Sequence, residues 1–395
     1  MDKRWFFPIA VFTLLVGIAI AGGVLFVRPA PKKSLEAAEP AAKEVVNDVL
    51  AARRAELEAA GDVSFGSDNE INILAIGLDS RKEGIEQHCD SIHMVTLRLD
   101  DWSIKITSVP RGTTATLPPG RTYLSTDYYL ANACAFGGLN YGIRQIEQIV
   151  GVRADYVATV GFSQALGIFR TIGLPTTDTL AFLRHRRSYQ IGDPQRSHNQ
   201  SVFMKDTALR LLSDDGLSTP LLHILYSFVD TDLDFKSAQA LYTAYRAAEL
   251  NEDDIVLDIK PHYDVVDMHF DPSNADVQVQ ALIDFLKGKV SSEDLSLRTL
   301  DDVQRELEEY MRGALASEEE IAHVVEEQLW EQLEDNDVRQ ELHFRFLARY
   351  LETLVITDQP AAEQMASDYV LEMEYLGETY WADLGRNMLA SLVDE

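Results

Sequence analysis

Asp79 and Asp90 flank the two most strand-like runs near the start of the folded part of the chain. Asp79 follows the apolar run 71–78 (INILAIGL) directly, and Asp90 precedes the run 92–99. Carboxylates at the ends of neighbouring strands can converge at one edge of a sheet. Two hard oxygen donors there would suit Mg²⁺, which takes one or two carboxylates and fills its shell with water and phosphate oxygens. From spacing alone, the plainer reading is a pair of loop aspartates capping turns.

Arginines supply the second pattern. Arg111 closes a third strand-like run, 103–109, while Arg184, Arg186, Arg187 and Arg196 crowd the polar stretch 184–198. This happens in a chain with 35 Lys and Arg against 64 Asp and Glu. Guanidinium forks bind phosphate oxygens bidentately and stay charged at any relevant pH. Several together could hold a pyrophosphate and stabilise the charge of phosphoryl transfer. Surface ion pairs with the abundant carboxylates are the competing reading, and counts do not choose between the two.

The order of the strings NILAIGLDSR, CDSIHMV, ITSVPRG, YLANACAFGGL, LAFLRHRR and GDPQRSHNQ, and the intervals between Asp79, Asp90 and Arg111, resemble the LytR-CpsA-Psr family over roughly residues 71–205. The resemblance implies an extracytoplasmic α/β fold around an apolar cavity for a polyprenyl chain, with Mg²⁺ and arginines at its pyrophosphate. The implied activity is transfer of a glycopolymer from that carrier to peptidoglycan or, in some members, to protein. By resemblance, Asp79 and Asp90 match the magnesium-associated aspartates, with Asp90 and Arg111 in the catalytic set. Arg111, Arg184, Arg186 and Arg196 match the pyrophosphate-binding arginines, and Gln200 the glutamine after them. Asp193 matches the aspartate of a Gly-Asp motif, although a turn role beside Gly192 and Pro194 stays open.

Three positions depart from the family pattern. His88 stands where an arginine is usual; it could still donate to phosphate when protonated but is not permanently cationic. Gly112 replaces the aspartate of a Pro-Arg-Asp motif, which removes a base or arginine-orienting group. Asn199 replaces a second arginine. The stretch 174–180 is also shorter than in the family, which puts one wall of the lipid cavity and its selectivity in question.

These residues need a scaffold, and 395 residues with 46% hydrophobic and 25% charged composition provide a sizeable core plus a second module. Residues 5–27 carry no charged side chain and are long enough for a helix to cross a hydrocarbon layer of about 30 Å. Lys3 and Arg4 on one side are matched by Arg28, Lys32 and Lys33 on the other, so charge leaves the orientation open. The resemblance implies a cytoplasmic N-terminus. Residues 34–60, rich in Ala, Glu, Lys and Arg, read as a polar helical stalk. Apolar patterning then predicts strands at 71–78, 92–99, 103–109, 156–160 and 255–259, and helices at 141–150, 162–172, 199–212 and 275–286. From 291 onward the chain is acidic and helix-prone, and its carboxylate runs read as solvated helix faces.

The expectation is therefore an α/β fold with a central mixed sheet flanked by helices, an N-terminal transmembrane helix and an acidic helical C-terminal appendage. The divisions are an anchor (1–33), a stalk (34–68), a LytR-CpsA-Psr-like catalytic domain (69–290) and the appendage (291–395). A net charge of −29 argues against nucleic acid as a partner. Cys89 and Cys134 are either two separate thiols, the plainer reading, or one bridge outside the cytoplasm.

The expected function is Mg²⁺-dependent glycopolymer transfer from a polyprenyl pyrophosphate carrier to an envelope acceptor, or hydrolysis of that carrier, at the outer side of the cytoplasmic membrane. The alternative is a non-catalytic lipid- or glycopolymer-binding assembly protein, with protein partners recruited through the tail.

Overall fold

The computed structural model describes residues 69–393 except 80–87, 121–122, 125–126, 186–188, 190, 214–216 and 288–299. The anchor, the stalk and Arg186 lie outside the described residues. Among the described residues no helix is long and apolar enough to cross a membrane. They form two compact units, one running to residue 287 and the other from 300, with Ser163–Gly167 grouped with the second.

The first unit is built on six strands: β1 (Glu70–Asp79), β2 (His88–Arg98), β3 (Ile104–Ser108), β4 (Tyr156–Val160), β5 (Asp230–Thr231) and β6 (Ile255–Ile259). Their order is β5-β4-β1-β2-β3-β6. β1 runs antiparallel to β2 and parallel to β4, β2 antiparallel to β3, β3 parallel to β6, and β4 antiparallel to β5. The sheet is thus mixed, as expected, and its centre is the buried apolar run of β1 beside β2.

Side chains alternate across this sheet. Leu74, Ile76, Ile92 and Met94 share one face with Leu130, Ala133, Cys134, Ile146 and Val150. The last five come from α1 (Leu130–Gly137) and α2 (Leu139–Val150). The opposite face lies under α5 (Asp193–Leu211), where His93 of β2 meets the Ser197 carbonyl. Between them in sequence come α3 (Phe162–Thr171) and α4 (Thr176–Arg184), and after them α6 (Thr219–Ser227), α7 (Phe235–Ala247) and α8 (Ala275–Lys287).

One irregularity breaks the alternation. Gly77 pairs with Ser91 and Leu78 with Cys89, so Asp90 is an extra residue on β2 without a partner on β1. Such a bulge shifts the strand by one residue and reverses which face each side chain before it takes. Ser91 stays on the α5 face, whereas Cys89 turns to the α1 face and joins the core there. Gly77 is required opposite the bulge, since a Cβ on it would come within 2.9 Å of the Ser91 Cβ. On the α1 face Cys89 meets Cys134, and the two form a disulfide across a Cα separation of 5.9 Å. The plainer expectation of two separate thiols is therefore corrected. The bulge, which patterning does not reveal, supplies the geometry.

Two further expectations change. α5 begins at Asp193 rather than at residue 199, because Gly192 adopts a positive φ of 62° before it and Pro194 fits the first turn. Arg196 therefore sits on a helix and not in a polar loop. Arg111 lies in the turn after β3, beyond the strand's end at Ser108.

The second unit is helical: α9 (Leu300–Ala314), α10 (Glu318–Glu326), α11 (Asn336–Thr357), α12 (Gln359–Leu376) and α13 (Thr379–Val393). Its acidic runs have structural employment. Glu318, Glu319 and Glu320 fill the first turn of α10 behind the Ser317 cap, where negative charge favours the helix dipole. Glu308 and Glu341 both pair with Arg312 on the surface.

The disulfide packs against bare backbone: a Cβ on Gly142 of α2 would lie 2.2 Å from the Cys134 sulfur. Gly142→Ala is expected to force α2 away from α1 and lower the melting temperature of the first unit. Reduction of a bridge spanning 45 residues removes up to about 4 kcal/mol on the chain-entropy account. Urea unfolding with and without reductant measures this, and equal midpoints would show the bridge to be thermodynamically idle.

Candidate functional site

Four charged side chains converge where the bulge, the β3 turn and the start of α5 meet. Arg111 Nη1 pairs with Asp90 Oδ1. Arg196 Nη2 lies 2.8 Å from Asp193 Oδ1 and donates to the Asp90 backbone carbonyl at 2.9 Å. Arg111 Nε approaches the same Asp193 oxygen at 3.8 Å, while Asp193 Oδ2 accepts the Gly112 N–H at 3.2 Å. Asp193, whose role the sequence left open, is the hub. From the first turn of α5 its carboxylate orients both arginines beside Gly112, the residue that lacks a carboxylate of its own.

Accessibility divides the arginines. The Arg196 side chain is 4% exposed and that of Arg111 23%. Arg196 is therefore an internal brace that holds the Asp90 backbone in its bulged position. Arg111, with five N–H donors on its fork, presents those left over to solvent. The quartet sums to zero net charge. An anion therefore gains from local donors and from the positive end of α5 rather than from a surplus of positive charge.

Behind Asp90 runs a chain of neutral hydrogen bonds. Ser91 Oγ donates to Gln200 Oε1 at 3.1 Å, and Gln200 Nε2 donates to the Leu183 carbonyl at 2.9 Å. His93 Nδ1 lies 3.3 Å from Ser91 Oγ, and its Nε2 lies 3.4 Å from the Ser197 carbonyl. Burial pushes the His93 imidazole down to about 4, and the nearby Arg196 charge acts in the same direction, while the Ser197 hydrogen bond pulls the other way. The ring is neutral at physiological pH.

The first half of α5 buries Gln195, Arg196, Ser197, His198 and Asn199 in succession. Buried polar groups need partners. Gln195 exchanges hydrogen bonds with the Val266 backbone at 2.6 and 3.1 Å, and His198 Nε2 meets Asp267 Oδ1 at 2.6 Å. Asn199 accepts from Gln195 at 2.7 Å.

Of the residues singled out in the sequence, Asp90, Arg111 and Arg196 come together, with Gln200 attached through Ser91. Arg184 is exposed at the end of α4, its guanidinium 5.3 Å from the centre of the Phe162 ring. His88 is half-buried at the start of β2, paired in register with Asp79 at the end of β1. Asp79 and Asp90 thus lie at the same end of the β1–β2 pair. Two aspartates at one strand end are hard oxygen donors of the type Mg²⁺ takes. Among the described residues no three His, Cys, Asp or Glu side chains form a metal-binding group.

Residues 34–167 match the LytR_cpsA_psr family. The chain is 23% identical over 218 residues to the polyisoprenyl-teichoic acid–peptidoglycan teichoic acid transferase TagU of Halalkalibacterium halodurans, a span covering 48% of this chain and 70% of that protein. The crystal structure of B. subtilis TagV is 17% identical, with a TM-score of 0.41 over 55% of this chain and 97% of that one. That of B. subtilis TagU is 15% identical, with a TM-score of 0.33 over 56% of this chain and 99% of that one.

Two outcomes follow from the geometry. Asp193→Ala leaves the buried Arg196 without its carboxylate and is expected to cost about 3 kcal/mol in urea unfolding. Adding Arg196→Leu to it should recover part of that loss, and additive losses would refute the pairing. His93 titrates near 6.5 when unfolded and about 4 when folded, so its contribution is complete above 6.5 and lost as pH falls towards 4. His93→Gln should flatten this part of the stability–pH curve, whereas an unchanged acid limb would show that other groups control it.

Proposed function

Because this chain carries a LytR-CpsA-Psr family region at residues 34–167, we propose that it transfers a glycopolymer from a polyprenyl pyrophosphate carrier to a cell-envelope acceptor, peptidoglycan or protein. The observation that carries the reading is the convergence of Arg111 and Arg196 on Asp90, with the outer guanidinium still open to a ligand. Arg111 binds the diphosphate and stabilises charge on its oxygens during displacement. Asp193 and Arg196 hold Arg111 and the Asp90 backbone in place, so little reorganisation is needed at the moment of reaction. The acceptor oxygen bonds to the sugar-proximal phosphorus, the bond to the bridging oxygen breaks, and polyprenyl phosphate leaves. The hydroxyl proton passes to a carboxylate or to water. Water as acceptor gives hydrolysis by the same route.

Asp79 and Asp90 would hold Mg²⁺, which would neutralise pyrophosphate charge when bound. The zero net charge of the quartet supports this reading, since two arginines already matched by two carboxylates leave a diphosphate uncompensated. Residues 5–27 act as the membrane anchor, with the short N-terminus in the cytoplasm and everything after residue 27 outside it. The Cys89–Cys134 disulfide supports that compartment, because such bonds persist in oxidising surroundings.

One observation favours a second reading. Gly112 brings no carboxylate of its own, and Asp193, which stands beside it, is engaged with arginines. A site so arranged could bind the carrier without turning it over.

Titration of the full chain with inorganic pyrophosphate and Mg²⁺ tests the site. Arg111→Ala should weaken binding about tenfold or more, as expected for a charge-assisted hydrogen bond worth roughly 1.5–3 kcal/mol. Arg111→Lys should also weaken it, because the charge survives but the planar fork does not. If exposed Arg386→Ala weakens it equally, the effect is general electrostatics and the site is wrong. Release of polyprenyl phosphate from a glycan-bearing carrier separates transfer or hydrolysis from binding alone.

A further inference from the structure

A cleft of about 430 Å³ opens beside the segment that leaves Arg111. This is within the size range of small-ligand sites, roughly 300–1,000 Å³. Its wall is a short ladder in which Thr114 bridges Tyr129 and the Ala115 N–H donates to the Tyr128 carbonyl at 3.2 Å. The opposite wall is α2, through Gln145, Gln148 and Ile149. The same backbone ties the cleft to the arginine site, since the N–H groups of Leu130 and Ala131 donate to the carbonyls of Thr113 and Arg111. Thr114 follows Arg111 by three residues, so their Cα atoms are at most about 11 Å apart.

The described lining is chemically uniform in one respect: it holds no Asp, Glu, Lys, Arg or His, in a chain of net charge −29. Thr114, Thr116, Gln145 and Gln148 offer hydroxyls and amides, which both donate and accept. Gln145 is 9% exposed and spends its Oε1 on the Thr116 N–H at 3.1 Å, which leaves its Nε2 donors for the cleft. Tyr128 contributes an aromatic ring, 41% exposed, braced edge-on by Tyr123 at 6.0 Å. Ala115 and Ile149 add a small apolar surface. Among the described lining residues a phosphate finds no cation, and a cation no carboxylate. A ring with one apolar face and a rim of hydroxyls matches an aromatic platform surrounded by amides and hydroxyls.

We propose that this cleft is a subsite for an uncharged pyranose of the saccharide being transferred or of the glycan that receives it. The inference rests on the phosphate-transfer reading of the neighbouring arginine site and supplies that site with its sugar-recognising half. Charge is read at Arg111, and the neutral ring at Tyr128 and Gln148.

The test uses the full chain and three probes: tri-N-acetylchitotriose for a free glycan, UDP-N-acetylglucosamine for a diphosphate-linked sugar, and inorganic pyrophosphate alone. Binding is followed by ligand-observed saturation-transfer NMR. Tyr128→Ala and Gln148→Ala change exposed side chains, so the fold should survive. Each should weaken at least one sugar probe about fivefold or more while leaving pyrophosphate binding unchanged. Loss confined to tri-N-acetylchitotriose assigns the cleft to the acceptor. Loss confined to UDP-N-acetylglucosamine assigns it to the donor. The proposal is overturned if wild type binds neither sugar, if neither substitution weakens either sugar, or if the distant exposed Tyr380→Ala does equal damage. Should pyrophosphate alone fail to bind, the arginine reading fails, and the free-glycan arm still decides the cleft.

Discussion

The extra residue that β2 carries at Asp90 is the constraint on which the first unit depends. Without it, Cys89 would share a face with Ser91 and His93 and could not reach Cys134 on the far side of the sheet. With it, one strand delivers a cysteine to the α1 core, a carboxylate to the sheet end and a serine to α5. The bulged backbone leaves the Asp90 carbonyl unpaired with β1, and the buried Arg196 occupies it. Bulges are found where a sheet must re-aim a side chain, and this one aims three.

Arg196 shows how the site reconciles burial with charge. A guanidinium this deep needs a charged partner and hydrogen bonds to its remaining donors. Asp193 supplies the first from the same helix, and the bulge supplies a carbonyl. Arg111 closes the circuit from the β3 turn while remaining partly exposed to solvent. The inner guanidinium is thus buried and paired, and the outer one is paired yet partly exposed.

The sequence made the scaffold legible more readily than the site. β6 (Ile255–Ile259) and β4 (Tyr156–Val160) fall where the apolar patterning places them, because short β-branched runs between turn residues have few alternatives. The start of α5 was not legible from hydropathy: its first turns are polar yet buried, and only Gly192 and Pro194 mark its beginning. That same polarity was the signal for function, since five successive buried polar residues on one helix must be satisfied by something. Residue types pointed to Asp90, Arg111 and Arg196. They could not tell brace from ligand, because exposure is set by the packing of α5 over the bulge. Asp193 looked like a turn residue and proved to be the link between the arginines, a role that depends on contacts distant in sequence.

In the second unit, α11 serves two cores at once. Leu342 and Phe346 belong to the cluster around Trp330, Ile321 and Met311, whereas Leu347 and Leu351, on the following turns, belong to the cluster around Tyr369, Met373 and Ala382. One continuous hydrogen-bonded rod is the common wall of both. Fraying it at either end removes packing partners from its own cluster and shortens the rod that supports the other. The five helices are thereby thermodynamically coupled into a single cooperative block, rather than two helix pairs that open and close independently.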